Sequence, residues 1–189
     1  MFLNTTPAVA PAQSSIPTEG ADAITGTAFE DLVDALGGDD VVFGGTGGDT
    51  LAGGLGNDTL YADTHAGYQQ PGTADAPDAW NQLFGDAGDD ILVGGAGLDD
   101  LYGGTGNDIL SGGAGADWFI FEPGSGLDCI LDFTPGEDQL WALTNMNGTG
   151  APMITQNVDG AVVDFGNGNA VLLAGVDAAY LPADAIAFY

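Results

Sequence analysis

The chain has 189 residues and combines 28 acidic residues with no Lys or Arg, which gives a formal net charge of −28. Internal salt bridges cannot balance such a charge, so self-repulsion opposes compaction unless bound cations neutralise it. The lack of basic side chains also argues against nucleic-acid binding and against binding to anionic membrane surfaces. Only four acidic residues are Glu, and 33 residues are Gly. Because Asp and Gly are typical of turns, the composition predicts that the charge lies in turns.

The N-terminal residues 1–25 are rich in Pro, Ala, Thr and Ser, and we interpret them as a flexible lead or cap. They contain neither a positively charged start nor a continuous apolar stretch, so we expect no cleavable signal peptide. No run of 18 apolar residues occurs in the sequence, and no transmembrane helix is therefore expected.

Nine-residue blocks of the form G-G-x-G-x-D-x-U-x, where U is a large apolar residue, cover 26–61 and 76–120. The sixth place holds Asp31, Asp40, Asp49, Asp58, Asn81, Asp90, Asp99, Asp108 and Asp117. The eighth place holds Val33, Val42, Leu51, Leu60, Leu83, Leu92, Leu101, Leu110 and Phe119. A repeat this short cannot bury U alone, but stacked copies can, which predicts a solenoid.

Each block reads as a glycine turn followed by a short strand with U on one face. Two blocks complete one coil, so sixth-place aspartates of successive coils lie one strand spacing apart, about 4.8 Å. Carboxylates at that separation repel by about 3 to 4 kcal/mol per pair at an effective dielectric of 20. Ca²⁺ removes this penalty because it accepts carboxylates and backbone carbonyls in flexible sets, whereas Mg²⁺ demands tighter octahedra.

The blocks resemble the RTX, or haemolysin-type, calcium-binding repeats. The resemblance implies an all-β fold, a parallel β-roll (a right-handed β-solenoid of two short sheets) with a C-terminal β cap. It also implies that several Ca²⁺ are held by the sixth-place aspartates and turn carbonyls. Members of that family are usually exported unfolded through type I secretion and fold in extracellular calcium. By this resemblance, the predicted carbonyl ligands are Gly44, Gly53, Gly94, Gly103 and Gly112.

The spacing between Leu60 and Leu83 indicates an insertion at 62–75 within an otherwise continuous stack. If strand order survives it, the first column holds Asp40, Asp58, Asp90 and Asp108, and the second holds Asp31, Asp49, Asn81, Asp99 and Asp117. We expect an unbroken calcium ladder in the first column, with sites between successive aspartates. In the second column we expect a gap around Asn81, with sites at 31/49 and 99/117. The first block lacks consensus glycines and is predicted to be a cap or a weak site.

Residues 121–189 contain looser copies and then strand-like runs, which we interpret as a C-terminal β cap. The stretch LDCILDFTPGEDQL resembles the segment that closes the roll in serralysin-type proteases. That resemblance makes Asp128, Asp132 and Asp138 secondary calcium candidates. The last residues, DAIAFY, resemble the uncleaved export region of the family, and elsewhere such a sequence is simply a terminal strand.

Outward strand positions differ between the two predicted sheets. One face is apolar, with Val41, Phe43, Ile91 and Val93, and the other is mixed, with Asp34, Gln82 and Asp100. An apolar face of this extent is seldom left to water. We expect it to be covered by the C-terminal segment or the insertion, or else to bind a cell-surface partner or a second copy. Trp80, Trp118 and Trp141 are expected to pack in the core or cap.

The leading functional interpretation is a secreted, non-enzymatic, calcium-stabilised structural or interaction protein. No HExxH or G-x-S-x-G motif occurs. Two alternatives stay open: a carbohydrate- or surface-binding module that uses the 62–75 insertion and the aromatic residues, and a non-catalytic remnant of an RTX enzyme. A fold of this kind does not by itself decide among them.

Overall fold

A computed structural model describes residues 17–63, 80–142, 152–182 and 184–188. The 62–75 insertion therefore lies almost wholly outside the described residues. The described part consists of short strands joined by tight turns. Its first twelve strands are β1 (Ala23–Thr25), β2 (Leu32–Asp34), β3 (Val41–Gly45), β4 (Thr50–Leu55), β5 (Thr59–Asp63), β6 (Trp80–Ala87), β7 (Ile91–Ala96), β8 (Leu98–Tyr102), β9 (Ile109–Ala114), β10 (Trp118–Phe121), β11 (Leu127–Ile130) and β12 (Gln139–Ala142).

Successive strands alternate between two sheets, as expected for a β-roll. Sheet A runs β1-β3-β5-β7-β9-β11, and sheet B runs β2-β4-β6-β8-β10-β12, with parallel neighbours throughout. The pairing continues across the insertion, because Thr50 lies beside Gln82 and Thr59 beside Ile91. The predicted strand order and both predicted columns are therefore confirmed.

The core is a thin apolar layer between the sheets. All nine eighth-place residues are buried, with at most 1% of their surface exposed. The same row continues at both ends, through Ile24 in β1, Ile130 in β11 and Leu140 in β12. The row explains why U is large and apolar in every block, since strand alternation turns this position toward the space between the sheets.

The roll extends beyond the predicted limits of 26 and 120. It starts at β1, which pairs with β3 in the register Ile24–Val42, and it continues through β11 and β12. Both additions keep the rule that an aspartate stands two residues before a buried aliphatic residue. Asp22 precedes Ile24, and Asp138 precedes Leu140. The strand pairing thus continues past the boundaries at 25/26 and 120/121 that the sequence suggested.

The C-terminal part adds β13 (Met153–Gln156), β14 (Gly160–Gly166), β15 (Asn169–Ala174), a 3-10 turn (Ala178–Tyr180) and β16 (Ile186–Phe188). β15 pairs in parallel with β11, and β14 and β13 follow it in antiparallel order. These strands extend sheet A in its own plane. The expectation that they cover its outer face is wrong for the described residues. β16 pairs with β12 and ends sheet B.

The outer faces carry aromatic pairs on neighbouring strands. Phe43 stacks on Tyr61 on sheet A, with ring centroids 5.1 Å apart. On sheet B, Trp118 stacks on Trp141 at 4.7 Å. Trp118 is 42% exposed and Trp80 is 57% exposed, so of the expected places, core or cap, the core is wrong for these two indoles. Trp118 occupies the seventh place of its block, which the strand turns away from the core.

Candidate calcium-binding edges

The sixth-place side chains form two buried columns at the start of the strands, one beside each sheet. In both columns the backbone N–H of each member donates to Oδ1 of the member one coil further along. The first column runs from Asp22 to Asp40 (2.7 Å), Asp40 to Asp58 (2.8 Å), Asp58 to Asp90 (2.6 Å), Asp90 to Asp108 (2.9 Å) and Asp108 to Asp128 (3.0 Å). The second runs from Asp31 to Asp49 (2.9 Å), Asp49 to Asn81 (2.8 Å), Asn81 to Asp99 (3.2 Å), Asp99 to Asp117 (3.1 Å) and Asp117 to Asp138 (3.0 Å).

These hydrogen bonds occupy only one oxygen of each carboxylate. Within the described residues, Oδ2 is buried and accepts no hydrogen bond in Asp40, Asp58, Asp90, Asp108 and Asp117. Each of these residues is 1% exposed. A buried carboxylate oxygen without a partner is costly, and a nearby cation is the simplest way to remove that cost.

The first glycine of a block provides the space beside Oδ2. A Cβ at Gly103 would collide with Oδ2 of Asp108, and a Cβ at Gly94 would meet Oδ2 of Asp99 and the carbonyl oxygen of Gly112. A carboxylate oxygen and a backbone carbonyl therefore converge on space that only glycine leaves open. The arrangement also places the carbonyls of Gly44 and Gly103 beside Gly26 and Gly85, while Gly53 leaves room for Asp58 Oδ2.

Burial perturbs the acidity of these carboxyl groups. It raises the pKa of Asp90 and Asp117 to about 7 and that of Asp108 to about 6. The pKa of Asp128 is likewise raised to about 7, again mainly by burial. In each case the hydrogen bond from the preceding coil acts in the opposite direction but does not offset the loss of water. The charged form therefore needs a counter-ion near neutral pH.

The donor set fits Ca²⁺. The oxygens are carboxylates and backbone carbonyls, which are the ligands that hard cations accept. Among the residues that the structure describes, no three Asp, Glu, His or Cys side chains form a metal-binding group. Backbone carbonyls would therefore have to supply much of the coordination, and glycine turns expose them readily.

Asn81 occupies the place in the second column where we expect a gap in the calcium sites. Asn81 is fully buried, its Oδ1 accepts from Asp49 N at 2.8 Å, and its Nδ2 donates to Asp99 Oδ1 at 2.7 Å. A neutral amide thus keeps the column continuous and places a donor where other coils present Oδ2. The charge of the second column is thereby interrupted between Asp49 and Asp99.

Three terminal aspartates differ from the interior ones because a threonine four residues earlier donates to Oδ2. Asp22 accepts from Thr18 N at 2.7 Å, Asp31 from Thr27 N at 2.6 Å, and Asp138 from Thr134 N at 2.7 Å. The hydroxyls of Thr18 and Thr27 add bonds of 2.9 and 2.8 Å to the same oxygens. A threonine in this position therefore satisfies an oxygen that glycine turns leave open.

Asp132 lies outside both columns. Its carboxylate accepts from Ser111 Oγ at 2.7 Å, from Gly112 N at 3.1 Å and from Gly113 N at 3.0 Å. Sequence reasoning placed Asp132 among the secondary calcium candidates, and in the structure its carboxylate accepts hydrogen bonds from the C-terminal half of β9. Asp22 was missed, although it stands nine residues before Asp31 and two before an aliphatic residue.

A second ladder flanks the first column at the fifth place of its blocks. Its members alternate in charge along the stack: Asp39, Asn57, Asp89 and Asn107. Asn57 N donates to Asp39 Oδ1 at 3.0 Å, and Asp89 N donates to Asn57 Oδ1 at 2.9 Å. Because each Asp alternates with a neutral Asn, carboxylates never stand on neighbouring coils of this ladder. This pattern supports the view that like-charge repulsion restricts which residues can occupy the fifth place.

Comparison with known proteins agrees with this geometry. The profile of the RTX calcium-binding nonapeptide repeat matches four times, over residues 17–51, 43–65, 84–119 and 93–126. A search of curated protein sequences gave no match. Within the described residues, no helix has the length and apolar character needed to cross a membrane.

Two solved structures are similar. The extracellular lipase LipA from Serratia marcescens is 22% identical, with a TM-score of 0.50, over 92% of this chain and 39% of the lipase. The AlgE6R3 subunit from the Azotobacter vinelandii mannuronan C5-epimerase is 21% identical, with a TM-score of 0.34, over 96% of this chain and 86% of that one. The chain thus spans well under half of the lipase, and at this identity the likeness concerns the fold. Its blocks at 17–65 and 84–126 are RTX calcium-binding nonapeptide repeats, folded as a parallel β-roll.

Proposed function

We propose that the chain is a secreted, non-enzymatic structural or interaction protein whose acidic turns bind several Ca²⁺ and so complete its folding after export. The observation that carries the proposal is the row of buried, unpartnered Oδ2 atoms in Asp40, Asp58, Asp90, Asp108 and Asp117. The chain has a net charge of −28 and no Lys or Arg, so no Lys or Arg side chain can neutralise these carboxylates.

The proposed ligands follow from the two columns. Interior aspartates provide Oδ2, and turn carbonyls such as those of Gly103 and Gly112 complete the oxygen set. Asp128 continues the first column and belongs to this group. Asp31 and Asp138 are proposed as the weak ends of the second column, because their threonine hydrogen bonds compete with a metal for Oδ2. Asp49 and Asp99 lie on either side of the neutral Asn81.

A calcium titration of chelator-treated protein tests the proposal, read by circular dichroism and calorimetry with Mg²⁺ as the control. We expect a cooperative gain of β signal with several Ca²⁺ bound, and little response to Mg²⁺. A chain that is fully folded in chelator, with an unfolding temperature that calcium does not raise, would show that the columns do not depend on this ion.

Export is the finer part of the proposal. RTX repeats are typical of extracellular proteins, and folding that waits for calcium would keep the chain unfolded inside a calcium-poor cell. We propose type I-like secretion through an uncleaved C-terminal region that includes β16. Co-expression with a type I exporter tests this proposal, by comparing the intact chain with one that lacks residues 184–189. Equal export of both chains would rule out a signal at that end.

The apolar face of sheet A favours an additional role in association. Ile91 and Ile109 lie side by side on β7 and β9 and are 38% and 40% exposed. Val41, Phe43 and Val93 are half-buried on the same face. We propose this face as a contact surface for a cell-surface partner or a second copy. Analytical ultracentrifugation in calcium tests self-association. It compares the oligomeric state of the parent chain with that of the variant that has Ser at 41, 43, 91 and 93.

A further inference from the structure

A groove of about 270 Å³ crosses the outer face of sheet B where β6, β8 and β10 end. It borders the turns that lead from β6 and β8 to Asp90 and Asp108 of the first column, because Asp86 and Gly104 belong to those turns. The residues that define it are Phe84, Asp86, Tyr102, Gly104, Ile120 and Glu122.

The floor of the groove is apolar. Phe84 and Tyr102 are paired neighbours on β6 and β8, and their rings stack with centroids 4.6 Å apart and planes inclined by 19°. Ile120 lies beside Tyr102 on β10 and is only 5% exposed. The ninth place of three successive coils therefore forms a continuous strip of ring and aliphatic surface. Such a strip suits the hydrocarbon part of a ligand.

Carboxylates stand at the rim of the same groove. Asp86 occupies the second place of its block, where the neighbouring coils have Gly54 and Gly104, and it adopts a left-handed conformation with φ of 69°. A Cβ at Gly104 would collide with the backbone carbonyl of Asp86, so glycine at this place lets the two turns approach closely. Glu122 follows β10 directly and lines the groove with an exposed side chain.

The rim attracts a cation, and this chain contains no Lys or Arg to supply one. Burial and the nearby Asp34 raise the pKa of Asp86, which indicates that positive charge is lacking around it. A hard metal ion suits the groove poorly because ring and aliphatic carbons are not ligands for it. The volume lies just below the range of about 300–1,000 Å³ usual for drug-sized ligands, so the groove suits a single side chain.

We propose that this groove binds an arginine or lysine side chain presented by an extended segment of a partner protein. The hydrocarbon stem lies along Phe84, Tyr102 and Ile120, and the cationic head lies between Asp86 and Glu122. Arg and Lys combine an apolar stem with a charged head in this way. The carboxylates at the rim favour a cationic side chain as the occupant. The apolar floor distinguishes this site from the rest of the acidic surface, which would attract any cation.

The test uses calcium-saturated protein and a short arginine-containing peptide, followed by NMR. A second peptide carries citrulline, which keeps the shape of arginine but removes its charge. We expect shift changes concentrated at the groove, at least tenfold weaker binding of the citrulline peptide, and at least tenfold weaker binding to the double variant Asp86→Asn with Glu122→Gln. Asn tolerates the left-handed conformation at position 86, so the turn is preserved.

The matched control is the double variant Glu19→Gln with Glu30→Gln, which removes two exposed charges at the other end of the chain. It should change the affinity by less than twofold. The proposal is overturned if both double variants weaken binding equally, if the citrulline peptide binds as well, or if shift changes are equally large around Asp31, Asp49 and Asp99 at the other edge of the roll. Circular dichroism of each variant confirms that the roll is intact.

Discussion

Asp90 and Asp108 are joined by a hydrogen bond of 2.9 Å from the backbone N–H of the first to Oδ1 of the second, while Oδ2 of Asp108 is buried and accepts no hydrogen bond within the described residues. The two oxygens of one carboxylate therefore have different tasks. Oδ1 connects successive coils, and Oδ2 is the oxygen that we propose as a Ca²⁺ ligand. Substitutions that change one oxygen only can separate these tasks.

The variant Asp108→Asn keeps Oδ1 and replaces Oδ2 by an amide nitrogen. We expect the stacking hydrogen bond to survive and the chelator-treated protein to be at least as stable as the parent, because a buried charge has been removed. Calcium titration calorimetry should show a lower stoichiometry or at least tenfold weaker binding at the affected site. Glu19→Gln, which removes one exposed charge, is the control and should leave the titration unchanged. Full calcium binding by the Asn variant would contradict the role of Oδ2.

The reverse change, Asn81→Asp, fills the neutral position of the second column. In chelator we expect a lower unfolding temperature, because a buried carboxylate then stands between Asp49 and Asp99 and loses the Nδ2 hydrogen bond to Asp99. In calcium we expect additional binding and recovery of the lost stability. Thermal unfolding with and without calcium measures both effects. A variant that is destabilised equally in both conditions would show that this coil cannot form a site.

Gly103→Ala tests the space beside Asp108. The added Cβ would collide with Oδ2, so the turn or the carboxylate must move, at a cost of about 1–3 kcal/mol typical of overpacking. Calcium binding should weaken together with stability. Gly20→Ala is the matched control, because the nearest atom to its Cβ is 3.9 Å away. Chemical denaturation in calcium compares the two variants, and equal midpoints would contradict the steric argument.

The pH dependence should reverse between the calcium-free and calcium-bound protein. Burial raises the pKa of Asp90 and Asp117 to about 7, whereas an unfolded Asp titrates near 3.9. Between these values the native state binds more protons, so the calcium-free fold should gain stability as pH falls from about 8 to about 5. Calcium affinity should fall over the same range, because protons compete for Oδ2. Unfolding temperatures in chelator that drop on acidification through this range would contradict the prediction.

The core row and the two Asp columns could be predicted from the nine-residue period of the sequence. Leu92 and Leu110 had to face the core, and Asp90 and Asp108 had to stack, because a period of two blocks per coil leaves no other arrangement. The count across the insertion also placed Asn81 in the second column. What composition added was the need for a counter-ion, since the chain has no Lys or Arg.

Other features of the structure could not be predicted from the nine-residue repeat. The threonine bonds to Asp22, Asp31 and Asp138 depend on the residue four places earlier, a position that glycine fills in most interior blocks. Trp118 was assigned to the core or cap by residue type, although its seventh place points outward. The in-plane docking of β15 on β11 joins residues more than 40 positions apart, which no local pattern specifies.

The Asp columns also have a direction. In the second column every N–H points toward the C-terminal coil, and every Oδ1 receives a bond from the N-terminal side. Backbone bonds between neighbouring strands, such as Thr50 N to Asp31 O at 2.9 Å, are lost whichever end is removed. Within the column itself, removing the coil of Asp31 would leave a carboxylate oxygen of Asp49 short of a donor, and water or a cation can replace that donor. Removing the coil of Asp138 would leave the buried N–H of Asp117 without an acceptor, and a bound cation cannot replace an acceptor. The roll can therefore be shortened from its N-terminal end more readily than from its C-terminal end.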